Sequence, residues 1–523
     1  MKLATYFIYT AIILVLNSEA AKINHNNNSP KLLRIPIKRK ENLAPTNNDK
    51  KFGKRANNDI SLYNANGKEY LIEIGIGTPP QFFNVTLDTG SADCWVPAQS
   101  CPTSMCPHTR FNNQKSSSFK ALSQQLTISY GVGSAKGTYA ADTLTLGSVD
   151  GTSLSNFTVG LVSNTNNILI ASEIEDGNSA PSNGIFGLGY PNLSMKTGDK
   201  PGHFVMGLYQ AKTISEPIFS IFLNTQSAYG NSGEMLLGGI DNNKYTGQIQ
   251  YAPVVSYDVS TFMVSPNLGS NMTSKEANSQ ESHLYWAVPG QGVETSNGYK
   301  HNGKTLQGYI LDTGTTLTYV PSSVAKSIVM SVTQNAKTTQ LDAINGVYQV
   351  SCSTAKQKGY VSFLVSSSSA TASTSPISIQ VPISDLVIPL DDARTADTSK
   401  SCMFGIAPSP VGLDLTSGET WILGESTLRS LYTVYDLKEN RVGLAKLANE
   451  KSVSNATTTS NDSVSTPVSN PKSSSSSDDD DDDKDKHKLQ ETSAASLSSL
   501  SSLKHSCYLS SSIIMMFIMV MYI

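Results

Sequence analysis

The sequence has few charged residues and no cysteine or histidine pattern that would hold a metal. Asp, Glu, Lys and Arg make up 15% of the 523 residues, and the formal net charge is -3. Nucleic-acid-binding domains carry a basic footprint, so this balance argues against nucleic acid as a partner. The six cysteines form no Cys-x-x-Cys pair and the seven histidines are scattered. We therefore expect no metal site and no cofactor.

Long apolar runs are also missing, and the two short ones lie at the ends of the chain. The first, Ile8–Leu16, follows Lys2 and precedes small residues around Ala20. A membrane anchor is the alternative interpretation, but a spanning helix needs roughly 20 apolar residues. The pattern is that of a secretory signal peptide over residues 1–20, which places the chain in the secretory pathway.

Residues 21–55 are polar, Asn-rich and basic, and they end at Lys54-Arg55. A dibasic pair is typical of processing by a secretory-pathway convertase, so we expect a propeptide that is cleaved after Arg55. Within it, Leu32–Lys40 alternates apolar and basic residues like an edge strand with one charged face. A disordered basic tail is the alternative.

The other end of the chain predicts a stalk and a lipid anchor. Residues 448–492 are rich in Ser and Thr and contain the acidic run Asp478–Asp483, which favours a disordered stalk over a calcium site because no spaced ligand loop is present. Residues 493–523 place small residues, a polar spacer and an apolar tail in the order of a glycosylphosphatidylinositol (GPI) signal, with Ser493 or Ala494 as acceptor candidates. The alternative is a hydrophobic tail that only anchors or aggregates.

Short apolar segments separated by turn signals dominate the region between, so we predict a mostly β fold. Gln125–Tyr139 indicates a hairpin with a glycine-rich turn, and Val324–Ala336 is one of few plausible helices. Residues 257–281 form a polar stretch that we interpret as an insertion loop.

One motif occurs twice in matching contexts. Leu87–Ser91 and Leu311–Thr315 each run from an apolar strand into Asp-Thr-Gly. Each is followed much later by a segment with an apolar-apolar-Gly pattern, within Gly184–Pro191 in the first case and Trp421–Gly424 in the second. This duplication predicts two related lobes, residues 56–250 and 251–447, that each deliver one carboxylate to a shared site.

Two carboxylates at close range cannot both ionise easily, so Asp88 and Asp312 would share one proton. The ionised member takes a proton from a bound water as that water attacks a carbonyl, and the protonated member donates to the carbonyl oxygen. Thr89 and Thr313 would fix the pair by hydrogen bonds to the backbone across the two turns. Tyr130, at the mouth of the predicted hairpin, would close over the substrate.

These residues resemble the pepsin family of aspartic proteases over about residues 31–447. The resemblance implies a bilobal β fold with the cleft between two β-barrel lobes, Asp88 and Asp312 as catalytic residues, and disulfides Cys101–Cys106 and Cys352–Cys402. It also leaves Cys94 as a buried free thiol. It implies flap residues Tyr130, Gly131 and Gly133, and supporting residues Thr89, Gly90, Ser91, Trp95, Thr313, Gly314 and Thr315. The matching segments are Asp88–Pro97, Asp312–Thr316, Ile128–Ser134, Trp421–Arg429, Tyr432–Leu437, Arg441–Ala445 and Leu33–Lys40.

The propeptide, stalk and GPI signal together are similar to the fungal yapsin-type enzymes. That likeness implies an enzyme at the cell surface, a preference for basic residues, and a role in protein processing or wall maintenance. Val132 stands where many relatives have a flap threonine. The acidic residues that would line the subsites, or equally be solvated loop charges, are Asp93, Glu173, Glu175 and Asp176.

The sequence therefore predicts an aspartic endopeptidase that acts on peptide and protein substrates as a monomer, with cleavage of surface loops into two chains left open. The alternatives are a secreted nutritional or pheromone-degrading protease and a non-catalytic wall or adhesion protein on the same fold. Candidate N-glycosylation sites are Asn84, Asn156, Asn192, Asn271, Asn455 and Asn461.

Overall fold

A computed structural model describes most of the chain between residues 32 and 448. The described ranges are 32–39, 69–131, 133–147, 152–169, 182–199, 201–224, 231–258, 281–334, 336–391, 393, 395–410 and 420–448. The predicted signal peptide, the cleavage site at Arg55, the stalk, the GPI acceptors Ser493 and Ala494, and the sequons at Asn271, Asn455 and Asn461 lie outside them. In the part that is described, no helix is long and apolar enough to cross a bilayer.

The described chain is mostly β, as the turn-rich sequence predicts. Strands of the first half are β1 Leu33–Arg39, β2 Tyr70–Ile76, β3 Gln81–Asp88, β4 Cys94–Pro97, β5 Lys120–Tyr130, β6 Gly133–Leu146, β7 Ser153–Asn166, β8 Ile185–Gly187, β9 Ile218–Leu223, β10 Asn231–Leu237 and β11 Tyr245–Pro253. Strands of the second half are β12 Tyr257–Asp258, β13 Glu281–Ser282, β14 Ala287–Thr295, β15 Lys300–Leu311, β16 Thr318–Val320, β17 Gln340–Asp342, β18 Val347–Val350, β19 Tyr360–Val365, β20 Ile377–Pro382, β21 Val387–Pro389, β22 Cys402–Phe404, β23 Ile406–Pro408, β24 Thr420–Leu423, β25 Leu431–Asp436 and β26 Arg441–Leu447.

Helices are few and short. The prediction of a helix near Val324–Ala336 is confirmed, although the helix begins two residues earlier and ends four residues earlier. Its apolar side, which includes Val324, Ile328 and Val329, is fully packed into the core because these residues recur at helical spacing. The α-helices are α1 Phe204–Gln210, α2 Ser322–Val332 and α3 Glu425–Leu428, and the 3-10 turns are Asn113–Lys115, Pro191–Leu193, Cys352–Lys356 and Ile383–Leu386.

One sheet collects strands from both halves of the sequence. Its order is β11-β26-β25-β9-β10-β1-β2-β3-β8-β4-β7-β6-β5. A second sheet, β20-β19-β14-β15-β24-β16-β23, and a smaller one, β17-β18-β22-β21, belong to the second half. One large apolar cluster runs through both halves and contains residues from the two large sheets. This arrangement agrees with a bilobal pepsin-like fold.

The prediction of an edge strand at Leu32–Lys40 is wrong in one respect. The segment does form strand β1, but it pairs with β10 on one side and with β2 on the other, so it is internal. Leu33, Ile35 and Ile37 are buried, whereas Arg34 is exposed. The alternation of apolar and polar residues reports only that one face is buried, and that is equally true of edge and internal strands.

The structure forms both predicted disulfides. Cys101–Cys106 closes a loop after β4, and Cys352–Cys402 ties a 3-10 turn to β22. Cys94, which lies in β4, is a buried free cysteine, as predicted. The predicted insertion loop begins in β12 and ends in β13, and residues 259–280 between them lie outside the described part.

Candidate active site

Two strand ends place the repeated aspartates. β3 ends at Asp88 and runs parallel to β8, and the Leu188 amide beyond β8 donates to the Asp88 carbonyl at 2.7 Å. β15 ends at Leu311 and runs parallel to β24, and the Asp312 amide donates to the Leu423 carbonyl at 3.0 Å. In both halves, the strand of the apolar-apolar-Gly segment therefore runs parallel to the strand that leads to the aspartate, although the bonded main-chain group is the carbonyl of Asp88 and the amide of Asp312.

Each carboxylate is held by donors from its own turn. Gly90 N donates to Asp88 Oδ1 at 2.8 Å and Ser91 Oγ donates to Asp88 Oδ2 at 2.5 Å. In the second turn, Gly314 N donates to Asp312 Oδ1 at 2.8 Å and Thr315 Oγ1 donates to Asp312 Oδ2 at 2.6 Å. Both side chains are thus fixed in the same orientation relative to their strands.

The two turns are locked together through their threonines. Thr89 Oγ1 donates to the Leu311 carbonyl at 2.7 Å and accepts from Thr313 N at 3.0 Å. Thr313 Oγ1 donates to the Leu87 carbonyl at 2.7 Å and accepts from Thr89 N at 3.1 Å. Both threonines are fully buried, so these four bonds are not in competition with water. The predicted bonds across the turns are therefore present in the structure.

The glycines show how closely the turns approach each other. A Cβ added to Gly90 would collide with the carboxylate of Asp312, and one added to Gly314 would collide with the carboxylate of Asp88. Each carboxylate therefore packs against the backbone of the other turn. Any larger residue at either glycine would push the two carboxylates apart.

Burial and mutual repulsion keep a proton on this pair. Asp88 is 6% exposed and Asp312 is 9% exposed. Burial, followed by the charge of Asp312, raises the pKa of Asp88 to about 8. Burial also raises the pKa of Asp312, although hydrogen bonds from Thr315 and Gly314 oppose this. When one of the two protons has dissociated, the pair holds one carboxylic acid beside one carboxylate, which suits acid and base roles in one step.

The predicted hairpin lies over this pair. β5 ends at Tyr130 and β6 begins at Gly133, and these two residues are paired across the turn that contains Gly131. The indole of Trp95, which is fully buried, donates to Tyr130 Oη at 2.8 Å. Burial, followed by the charge of Asp88, raises the pKa of Tyr130 well above its usual value, in keeping with a phenol on the side of the first turn. Val132, at the centre of the turn, lies outside the described residues.

Asp93 is not a solvated loop charge, and its carboxylate is not free for a substrate. It is 4% exposed and accepts from Tyr139 Oη at 2.9 Å, Ser194 Oγ at 2.6 Å and Met195 N at 2.9 Å. Tyr139 belongs to β6, so Asp93 ties the base of the hairpin to the chain that follows the first turn. The other acidic candidates, Glu173, Glu175 and Asp176, lie outside the described residues.

Tyr285 is a site residue that sequence reasoning missed. Burial, then the charges of Asp312 and Asp88, raise its pKa to about 12, so the phenol feels both carboxylates. It lies between β13 and β14, next to Trp286, and no motif marks it. An aromatic pair just before a strand was the only available signal, and that signal is indistinguishable from core packing.

The sequons differ in their surroundings. Asn156 and Asn192 are exposed, as expected for glycan acceptors. Asn84 is only partly exposed and its Oδ1 is buried without a hydrogen-bond partner among the described residues. Within the described part of the chain, no group of three or more His, Cys, Asp or Glu side chains is placed to hold a metal ion.

The fold and the paired carboxylates define an acid–base hydrolase of the aspartic class. A sequence model of the family described as eukaryotic aspartyl protease matches residues 69–447, and the chain belongs to that family.

Known relatives agree with this assignment. Mucorpepsin of Rhizomucor pusillus is 31% identical over 392 residues, which cover 74% of this chain and 81% of the relative. Human gastricsin is 32% identical over 387 residues, which cover 72% of this chain and 81% of the gastricsin. Pepsin A of Sus scrofa is 32% identical over 401 residues, which cover 75% of this chain and 84% of the pepsin. The chain is an aspartic endopeptidase.

The raised pKa of Asp88 predicts a specific pH dependence of stability. The unfolded side chain titrates near 3.8 and the folded one near 8, so the folded protein binds more protons between these values. The free energy of unfolding must therefore fall as the pH rises through this window. We expect Asp88→Asn to be more stable than the wild type at about pH 8, by on the order of a few kcal/mol, with the gap closing near pH 3 to 4. Urea denaturation across this pH range measures the difference.

Asp342→Asn is the control for this prediction. Burial acts to raise the pKa of Asp342, but hydrogen bonds from Asn345 and Ile344 outweigh it and lower that pKa. The control should therefore lose stability above the usual carboxylate pKa, which is the opposite sign. An Asp88→Asn protein that is less stable than the wild type at every pH would contradict the assigned electrostatics.

Proposed function

We propose that Asp88 and Asp312 are the catalytic residues of an acid endopeptidase that is made as a zymogen and displayed at the cell surface. The observation that carries the proposal is the pair of buried carboxylates, each packed against the glycine of the opposite turn. A water bound between them is close to both a base and an acid. No other pair of carboxylates in the described residues is held in this way.

The mechanism follows from the shared proton. The ionised carboxylate takes a proton from the bound water as the water attacks the scissile carbonyl carbon, and the other carboxyl group donates its proton to the carbonyl oxygen. The product of this step is a neutral gem-diol, so no covalent link to the enzyme forms. Because the two side chains act as one unit, the starting proton belongs to the pair and not to one residue.

The surrounding residues take supporting roles in this proposal. Ser91 and Thr315 each donate to the Oδ2 atom of the aspartate in their own turn. Thr89 and Thr313 hold the two turns together. Tyr130 closes over the substrate with Gly131 and Gly133, and the bond from Trp95 fixes where the phenol points. Closure of the hairpin excludes water other than the one that reacts.

The regions around the enzyme domain complete the proposal. Residues 1–20 direct secretion, residues 21–55 form a propeptide cleaved after Arg55, and residues 448–492 form a stalk that ends in a GPI signal at 493–523. The place of β1 inside the main sheet supports a segment that folds with the domain, in preference to a disordered basic tail. Peptide and protein substrates would be cut at the outer face of the membrane or in the wall, with a preference for basic residues.

Replacement of Asp312 should abolish catalysis. Asp312→Asn removes one of the two carboxyl groups, so the pair can no longer share a proton and supply both an acid and a base. We expect kcat to fall by at least about 10³-fold with the fold retained. Hydrolysis of a peptide between about pH 3 and 7, with and without pepstatin, measures this. Asp342→Asn, at the end of β17, is the matched control and should retain wild-type activity. A processed wild-type enzyme without any pepstatin-sensitive cleavage would contradict the proposal and favour a non-catalytic binding protein.

The preference for basic residues has its own test. A peptide library with and without Lys and Arg at each position should show faster cleavage next to basic residues, because acidic side chains in the cleft would pair with them. Raising the salt concentration should weaken the preference, since exposed ion pairs are screened. Equal cleavage of both libraries at low salt would contradict a yapsin-like specificity.

The anchor can be tested on intact cells. A phosphatidylinositol-specific phospholipase should release the full-length protein from membranes, because the lipid is the only predicted attachment. A chain that ends at residue 492 is the control and should appear in the medium without enzyme treatment. Full-length protein that is found in the medium from the start would favour the secreted nutritional or pheromone-degrading protease.

A further inference from the structure

Trp286 is hydrogen-bonded to residues that adjoin both Asp-Thr-Gly turns, and the two-carboxylate mechanism does not use it. The residue directly precedes β14 and is fully buried. Its indole Nε1 donates to the Leu188 carbonyl at 2.7 Å. Its own main-chain carbonyl accepts from the Leu311 amide at 2.9 Å. One residue is thus bonded to the segments that hold both turns.

Leu188 carries the contact to the first carboxylate. The Leu188 amide donates to the Asp88 carbonyl at 2.7 Å, and the Leu188 carbonyl accepts from the indole, so residue Leu188 links Trp286 to the first turn. The second turn is reached more directly, since Leu311 is the residue before Asp312. A rotation of the Trp286 ring would therefore move the Asp88 turn relative to the Asp312 turn.

The ring itself has little freedom. Its centroid lies 4.6 Å from that of Tyr190, 5.2 Å from Tyr435 and 5.6 Å from Phe219. The last two rings meet Trp286 edge to face, at interplanar angles of 72° and 80°. This packing is favourable for aromatic rings and sets the direction of the indole N–H bond.

We propose that Trp286 is a positioning residue for peptide hydrolysis. Its indole N–H fixes the distance between the Asp88 turn and the Asp312 turn, so that the two carboxyl groups can share a proton and a water. This inference rests on the proposed catalytic roles of those two aspartates. Without the indole, the bond left to the Leu188 carbonyl among the described residues is the one from His203 Nε2 at 3.0 Å. That donor belongs to the first half of the chain, so the threonine bonds between the turns would lose the support that Trp286 gives through Leu188.

A purely structural role for Trp286 predicts a different result, and Trp421 makes the two distinguishable. Trp421 is also fully buried and stacks on Tyr309 with centroids 4.9 Å apart. Its Nε1 has no hydrogen-bond partner among the described residues. Replacement by Phe removes the same atoms at both positions, but it removes a hydrogen bond only at 286.

The experiment compares Trp286→Phe with Trp421→Phe in the full-length, processed protein. Both variants should lose thermal stability, because each leaves a cavity. Only Trp286→Phe should lose kcat, by about 10-fold, since small displacements of reacting groups cost large factors in rate. Its KM should stay within about twofold of the wild type, because the substrate-binding surface is unchanged. Asp312→Asn is measured beside them.

A second replacement isolates the N–H group. Benzothienylalanine at position 286 keeps the bicyclic shape and lacks the N–H donor, so it should lose kcat like Trp286→Phe while remaining near wild-type stability. It decides the question if Trp286→Phe does not fold. Wild-type kcat in the benzothienylalanine protein, or equal kcat in the two Phe variants, would overturn the inference. An inactive wild type would overturn the proposed function, and this inference with it, whereas an active wild type and an inactive Asp312→Asn leave the proposed function standing.

Discussion

The structure depends on holding two carboxyl groups close together in a buried site, where both cannot easily be ionised. The carboxylates of Asp88 and Asp312 are buried and repel each other, so their proximity costs free energy that other contacts must offset. The four bonds of Thr89 and Thr313 meet this need because each threonine bonds the backbone beside the opposite aspartate. The near two-fold symmetry of the contact means that neither turn can shift without breaking bonds to the other.

The two strands that pair with β3 and β15 are buried and support the aspartates from beside their turns. β8 and β24 are short, apolar and parallel to the strands that carry the aspartates, and they fix the main chain just before and after each turn. Two further contacts support the site. Asp93 accepts a hydrogen bond from Tyr139 of the hairpin, and Trp286, from the second half of the chain, donates to Leu188 in the first half. The two carboxyl groups are therefore held by contacts from several parts of the described chain.

Much of this arrangement could be predicted from the sequence because the motif occurs twice. Repetition predicted two lobes and the paired aspartates, and the matching threonines predicted the bonds of Thr89 and Thr313 across the turns. The hairpin followed from its glycines. What the sequence could not supply was contact between residues far apart in the chain that have ordinary local patterns. Tyr285 and Trp286 look like any aromatic pair before a strand, and Asp93 looks like a loop charge until its three donors are placed around it.

The error over β1 has the same origin, since alternation fixes a buried face but not the number of neighbouring strands. The position of β1 also constrains when the protein can fold. Arg34 bonds Glu234 across a separation of 200 residues, and the strand pairs with β10 along most of its length. The side of β1 that faces β10 must therefore remain unpaired until β10, about 200 residues later in the chain, has left the ribosome. Such high contact order slows folding, and the main sheet cannot be completed in the order in which it is synthesised.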